Sequence, residues 1–393
     1  MNALECLLVE GEATMQVRVE EDLRDWLDYC EEGSKRALAL GNRGPVKLDD
    51  NGNLDPLIIE AYQRTGFYVF TDVLSDEEIG ELAFEFDALL DNAPTSRKGL
   101  HDKHGELVKF PGYYSLSYSS EDNPFDQKKT DENGSKNLPT VGLLSHPLMM
   151  MDSAMRAYAH PKILSIAAGI NGSDFVPFHE GIFHKAAGEG PATPWHQDGR
   201  THWDNQGRSL EMDDGSGKTH GFNLSIACSE CNPDNGLWVL PGSHRNWLLH
   251  QGGEFPAIST KIKGAVPVMM KPGDCAIVNR SSLHGSFPNY SKQRRITILF
   301  GFHKRDSAIG ATTTNVHAFK VPGKTKQITY TDEYVLKRSR MIPLAINARA
   351  QKYPDEVGFN YQGSFKGSAE WSEQSRAEIS EENQEYWQQD ITL

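Results

Sequence analysis

The chain is short of cationic charge, of cysteine and of long apolar runs. Forty Lys and Arg stand against 54 Asp and Glu, a formal net charge of −14. That balance argues against nucleic acid and anionic membrane surfaces as partners, because both attract basic patches. No run of about 18 or more apolar residues is present, so no membrane span is expected. The opening "MNALECLLVEGEATM" has no basic stretch ahead of its brief apolar run, so no secretory signal is expected there. Without one, the Asn-x-Ser/Thr matches at Asn133, Asn171, Asn223 and Asn289 are chance occurrences. Five cysteines, an odd number spread over 393 residues, point to reduced thiols and a cytoplasmic location. Cys228 and Cys231 form a C-x-x-C, but no second pair completes a zinc ribbon and no βαβ context supports a redox motif. They read as structural cysteines.

What is present is an ordinary globular composition, 38% hydrophobic and 24% charged, on a chain long enough for a sizeable core. A helix is expected over roughly Val17–Leu40, followed by a loop rich in Gly, Asn and Asp. Phe67-Tyr68-Val69-Phe70 is a β-prone run. Ser75 and Glu78 then form a capping box. Ile79, Leu82, Ala83, Phe86, Leu89 and Leu90 follow on one helical face. Residues 119–139 are polar and turn-rich, a loop or lid. A helical stretch is expected over roughly His146–Ala168.

From there to residue 306 short strands dominate: "DFVPFHEGIFHKA", "GFNLSIACSE", "GLWVLPGSH", "VPVMM", "CAIVNRSSLHG" and "RRITILFGFH". Gly/Pro/Asn turns separate them. The pattern predicts a mainly β protein with flanking helices, its core a double-stranded β-helix of the jelly-roll, cupin-like kind. Three regions are expected: an N-terminal helical extension (1–55), the jelly roll (56–306), and a C-terminal extension with an acidic tail (307–393). There is no internal repeat, and no feature sets an oligomeric state.

The chemistry centres on "ATPWHQDGR". On a strand, side chains at i and i+2 share a face, so His196 and Asp198 can bind one ion. His284, in "SSLHGSFPNYSKQRRIT", is the candidate third ligand. Two imidazoles and one carboxylate make the facial set of non-haem Fe(II) oxygenases and leave three positions open. A 2-oxo acid chelating such an iron needs a fixed cation for its distal carboxylate, best an arginine. Arg295, at the start of "RITILF", suits that task.

"YQRTGFYVFTDVLSDEEI", "PWHQD", "DNGLWVLPGSH" and "LHGSFPNYSKQRR", in this order over about residues 56–306, resemble the phytanoyl-CoA dioxygenase-like 2-oxoglutarate oxygenases. The resemblance implies that His196, Asp198 and His284 ligate iron and that Arg295, assisted by Ser286, holds the 2-oxoglutarate C5 carboxylate. It also implies that Phe183 or Lys185 lines the co-substrate site. Fe(II), 2-oxoglutarate and O2 would then act on a small-molecule substrate, giving succinate, CO2 and a hydroxylated product. Related halogenases replace the carboxylate with a small residue; this chain keeps Asp198. Desaturation or ring formation with the same cofactors is the alternative, and a catalytically silent metal-binding jelly roll is another.

Four further residues are candidate substrate contacts. Arg280 shares strand parity with Ser282 and His284 if the strand extends that far, and can then face the cavity; a salt bridge at the strand's start is the competing reading. Arg200, His202 and Trp203 lie on the loop after "WHQD". His179, His184, His202, His220, His244 and His250 have no metal-ligand spacing and are assigned non-ligand roles, and Arg294 is expected on the face opposite Arg295.

Overall fold

The computed structural model describes residues 22–117, 139–188, 190, 192–198, 202–203, 221–245, 261–310, 312–314, 327–367 and 369–386. The described strands are β1 (Arg43–Pro45), β2 (Phe67–Thr71), β3 (Tyr114–Ser117), β4 (Thr140–Ser145) and β5 (Phe175–Lys185). Next come β6 (Thr193–His196), β7 (His202–Trp203), β8 (Gly221–Ala227), β9 (Trp238–Val239) and β10 (Val266–Pro267). The last are β11 (Cys275–Asn279), β12 (His284–Ser286), β13 (Arg295–Lys304), β14 (Thr312–Thr314) and β15 (Gln327–Thr329).

Eight strands form a large sheet in the order β1-β2-β11-β8-β13-β5-β4-β3, and four a smaller one, β10-β9-β12-β6. A third ribbon runs β15-β14-β7. The two main sheets make the jelly roll that the strand pattern predicts.

Period-2 alternation sorts the large sheet's side chains between two destinations. Ile296, Ile298 and Phe300 of β13, with Phe222, Leu224 and Ile226 of β8, join the core beneath the helices. Their neighbours Thr297, Leu299, Asn223 and Ser225 face the cavity between the sheets. In the same way Tyr68 and Phe70 of β2 enter the helix-covered core, while Phe67 and Val69 point inward. With both faces covered, each large apolar side chain adds about 1.5–3 kcal/mol.

The helices are α1 (22–39), α2 (Pro56–Thr65), α3 (Asp76–Asp91), α4 (Pro147–Met150), α5 (Asp152–Tyr158) and α6 (Pro161–Asn171). After β13 come α7 (Arg305–Ala308), α8 (Asp332–Ser339), α9 (Met341–Lys352) and α10 (Glu373–Tyr386). The capping box of α3 is formed by Ser75 and Glu78, and Ile79, Leu82 and Phe86 are buried. The single stretch expected over His146–Ala168 is three helices instead. Met151 is extended (φ −129, ψ 120), and Pro161 forces His160 out of helical geometry (φ −57, ψ 128). The expected loop at 119–139 lies, except for residue 139, outside the described residues. Among the described residues no helix is long and apolar enough to cross a membrane.

Helix α1 lies against the outside of the small sheet. Tyr29 stacks on Trp238 at 4.6 Å, Trp26 meets Phe287 edge-on at 4.7 Å, and the Trp26 indole donates to Asp234 at 2.9 Å. At the other end of the chain, the Arg349 guanidinium donates to Glu78 at 2.7 Å and to Glu356 at 2.8 Å, joining α9 to the first turn of α3.

His160 sits beside that network, its Nδ1 accepting from the Lys162 amide at 3.1 Å as the N-cap of α6. Burial, and then the Arg349 charge, lower its pKa from 6.5 to about 4, against the opposing pull of Glu78 and Glu356. The unfolded chain therefore takes up this proton first, and stability present above pH 6.5 is lost as pH falls towards 4. His160→Asn keeps a capping acceptor without the proton uptake. Urea midpoints across this pH window are expected to fall less steeply in the variant than in the wild type.

Candidate metal centre and co-substrate pocket

His196 ends β6 and pairs across the small sheet with His284 of β12. Asp198 lies just past the strand, held there because its amide donates to the Arg280 carbonyl at 2.8 Å. Between them Gln197 points the other way, its amide donating to the Ser281 carbonyl at 2.6 Å. The result is a tight cluster. His196 Nε2 is 3.3 Å from Asp198 Oδ1, His284 Nε2 is 3.9 Å from Asp198 Oδ2, and all three candidate ligand atoms lie within 4.8 Å of one another. Ligands at ~2.1 Å on adjacent vertices of an octahedron would stand ~3 Å apart. An inward shift of an ångström or so would close the cluster on one ion.

The ring orientations fit the same use. His196 Nδ1–H donates to the Pro194 carbonyl at 2.7 Å and His284 Nδ1–H to the Ser282 carbonyl at 2.8 Å. Both Nε2 atoms are thereby turned towards the carboxylate, the orientation that metal-binding imidazoles adopt. Burial pushes the Asp198 carboxyl up, but His284, the His196 hydrogen bond and the Arg280 charge outweigh it and hold the group well below the usual carboxylate range. His284 is lowered to about 4, by burial first and the neighbouring His196 second.

Asn223 is a site residue that the sequence reading missed. It donates to Asp198 Oδ2 at 2.9 Å and accepts from Arg280 Nη1 at 3.3 Å. Its signal was available: a lone amide in the apolar run "GFNLSIA", on the parity that faces inward. Asn223→Ala is expected to lower Fe(II) affinity about 10–100-fold, the usual cost of losing a group that orients a ligand. Anaerobic metal titration of the purified variant measures this.

Arg280 is not in strand with His284. β11 ends at Asn279 and β12 begins at His284, so Arg280–Leu283 is a corner and strand parity does not carry across it. The side chain is buried and meets Asn223. Gly66, at the C-cap of α2 with φ 82, supports this corner: its carbonyl accepts from the Asn279 amide at 2.8 Å and the Ser282 hydroxyl at 3.2 Å. A Cβ there would lie 2.6 Å from both His244 Nδ1 and Ser282 Oγ. His244 itself bonds to the Gln63 carbonyl at 3.0 Å, away from the cluster.

A cavity of about 110 Å³ adjoins His196 and His284 and is also lined by Phe183, Ser286, Arg295 and Thr297. The sequence offers Phe183 and Lys185 as alternatives, yet residues two apart on one strand share a face. Both point inward, and the Lys185 ammonium donates to Ser286 Oγ at 2.8 Å and to the Phe287 carbonyl. Burial, then the Arg295 charge, hold Lys185 well below the ordinary lysine range. Arg295 is buried, its Nε has no hydrogen-bond partner, and among the described residues no carboxylate lies within ion-pair distance. Arg294 points the opposite way, to a bidentate pair with Asp87 on α3.

Other candidates fall elsewhere. Arg200 lies outside the described residues. His202 and Trp203 are seen only as β7, paired with Thr313 and Thr312. His184 Nδ1–H donates to the Val141 carbonyl at 2.8 Å, on the helix-facing side. Cys228 and Cys231 are buried free thiols, raised by burial to about 12 and about 11.

The chain is similar to several known proteins. The chain is 24% identical to a phytanoyl-CoA dioxygenase of Arabidopsis thaliana over 62% of its own length and 87% of that protein. It is 20% identical to the ectoine dioxygenase of Bordetella bronchiseptica (strain ATCC BAA-588 / NCTC 13252 / RB50), covering 72% of this chain and 86% of that one. Among solved structures it is similar to EctD from S. alaskensis with 2-oxoglutarate and 5-hydroxyectoine, at 17% identity and a TM-score of 0.46, over 67% and 80% of the two chains. The profile of phytanoyl-CoA dioxygenase (PhyH) matches residues 62–297, well over half the chain. The chain therefore belongs to the phytanoyl-CoA dioxygenase family and is a 2-oxoglutarate-dependent non-haem iron dioxygenase.

Proposed function

We propose that this enzyme hydroxylates an unactivated C–H bond of a small organic metabolite, with succinate and CO2 as co-products. The observation that carries the reading is Arg295, a buried guanidinium without a carboxylate partner among the described residues, in the same cavity as the His196–Asp198–His284 cluster. A buried cation left in that state costs several kcal/mol, roughly, unless a ligand supplies the anion.

In this reading His196, Asp198 and His284 hold Fe(II). The bound iron, with 2-oxoglutarate and O2, supplies the oxidising chemistry. Arg295 grips the distal carboxylate of 2-oxoglutarate through its planar fork. The Ser286 hydroxyl and Lys185 ammonium lie beside that fork; an incoming carboxylate favours the charged form of Lys185, which burial opposes. Phe183 covers the apolar middle of the co-substrate. Asp198 fills the position a halide would need, which favours oxygenation over halogenation.

Arg280 is assigned to holding Asn223, and through it Asp198, rather than to substrate. Arg200, His202 and Trp203 remain the substrate-side candidates. Residues 56–306 would form the catalytic domain. The buried free thiols of Cys30, Cys228, Cys231 and Cys275 suit a reducing compartment, the cytoplasm.

The test is to incubate the Fe(II)-loaded enzyme and 2-oxoglutarate with a small-molecule extract under isotopically heavy dioxygen. Succinate together with one metabolite that gains a single heavy oxygen supports hydroxylation. A product lacking two hydrogens and carrying no heavy oxygen replaces it with desaturation or ring formation.

A further inference from the structure

The inward face of β13 continues past the metal cluster. Arg295, Thr297 and Leu299 line the cavity already described. Two residues on, Gly301 pairs with Asn223, whose amide holds Asp198, so this rung marks the level of the metal. The next residue of the same parity is His303, paired with Gly221 of β8. It stands one pleat, about 6–7 Å, beyond the metal level, on the side away from Arg295. The pairing of β13 with β8 runs unbroken from Thr297 to His303, so parity carries through here as it does not at Arg280.

The ring is built into that place. His303 is buried, and a Cβ on Gly221 would stand 2.3–2.6 Å from its Cε1, Nδ1 and Nε2. The imidazole therefore lies across β8 where only a glycine leaves room. On the other side of His303, Val176 of β5 is its strand partner and packs with Ala308, Tyr330 and Val335. The C-terminal extension thus walls this end of the barrel. It also supplies β14 and β15, and β14 pairs with β7, which begins shortly after Asp198.

With 2-oxoglutarate running from Arg295 to the metal, the carbon to be oxidised has to approach from the His303 side. An imidazole carries a donor at one ring nitrogen and an acceptor at the other. A polar substrate group matches its edge better than hydrocarbon, which would strip hydration without replacing it. We infer that His303 is a specificity-determining residue that contacts the substrate, hydrogen-bonding a polar group set off from the oxidised carbon along β13. The inference rests on the proposed function and narrows it: the substrate is a polar metabolite, not a plain hydrocarbon chain.

The probe is the small-molecule extract, and the readout is the ratio of oxidised metabolite to succinate in the Fe(II)-loaded enzyme. His303→Phe keeps a ring and removes its nitrogens. It is expected to lower the ratio about tenfold, the scale of one lost hydrogen bond. The anaerobic visible band of metal-chelated 2-oxoglutarate, and the concentration at which it forms, should stay as in the wild type. His303→Gln keeps a donor and an acceptor and should recover most of the ratio. Gly221→Ala, which drives the ring from its place without removing it, should lower the ratio too, and it provides the test should His303→Phe fail to fold. A folded His303→Phe with the wild-type ratio overturns the inference. So does a loss that His303→Gln leaves unrecovered, or one matched by weaker 2-oxoglutarate binding. A wild-type enzyme that forms no band and releases no succinate overturns the functional reading instead.

Discussion

Arg295→Met is expected to weaken 2-oxoglutarate binding by about 10²–10³-fold while leaving the co-substrate-free protein at least as stable as wild type. The two effects have one cause. In the free protein the guanidinium is buried, its Nε lacks a hydrogen-bond partner, and burial lowers its pKa. Replacing an uncompensated buried cation with an apolar side chain of similar length is neutral or stabilising. In the complex the same guanidinium would meet a carboxylate, and truncating one member of such a buried pair costs about 2–5 kcal/mol. Arg295→Lys should fall between the two, because an ammonium keeps the charge but not the fork. Anaerobic 2-oxoglutarate titrations and thermal melts read the two arms. A variant with undiminished affinity would show that Arg295 has another role.

Asp198→Ala should move both quantities down. Fe(II) affinity is expected to fall more than about 100-fold, beyond the loss expected for Asn223→Ala, since a ligand rather than its support is removed. Stability falls as well. Asp198 accepts from Asn223, pairs with His196 and His284, and tempers the buried charge of Arg280. Leaving these buried groups short of an acceptor costs about 1–3 kcal/mol. Asp198→Asn, which keeps the shape but not the charge, should recover stability before it recovers metal binding. The contrast in sign with Arg295→Met separates a group built into the folded protein from one awaiting a ligand.

Much of this site was legible in the sequence because its parts are local. "WHQD" carries two of the three cluster residues, and alternation along "RRITILF" sets Arg295 apart from Arg294; in "FHEGIFHK" the sequence leaves Phe183 and Lys185 as alternatives, and the strand puts both on the face of Thr297 and Arg295. Arg294 leaves the cavity for Asp87. What failed were inferences across a break in regular structure. "CAIVNRSSLHG" reads as one strand but is two, in different sheets, and the Arg280–Leu283 corner ends the parity on which Arg280's orientation depended. Pro161 and the extended Met151 divided another apparent element into three helices. Long-range packing was also invisible: nothing in "DWLDYC" says that Trp26 and Tyr29 will sit on Trp238, more than 200 residues away. Asn223 stands between these cases. Its inward parity could be read, but its partner Asp198 could not, since the two meet only when β8 passes beneath the end of β6.

The most direct test of the account is spectroscopic and needs no substrate. Fe(II) and then 2-oxoglutarate are added anaerobically to the purified protein, with Asp198→Ala and Arg295→Met alongside. The account predicts a weak visible charge-transfer band of a chelated 2-oxo acid in the wild type. It predicts no band in Asp198→Ala, and in Arg295→Met a band that forms only at much higher 2-oxoglutarate. A wild-type protein that binds Fe(II) and shows no band at saturating 2-oxoglutarate would contradict it.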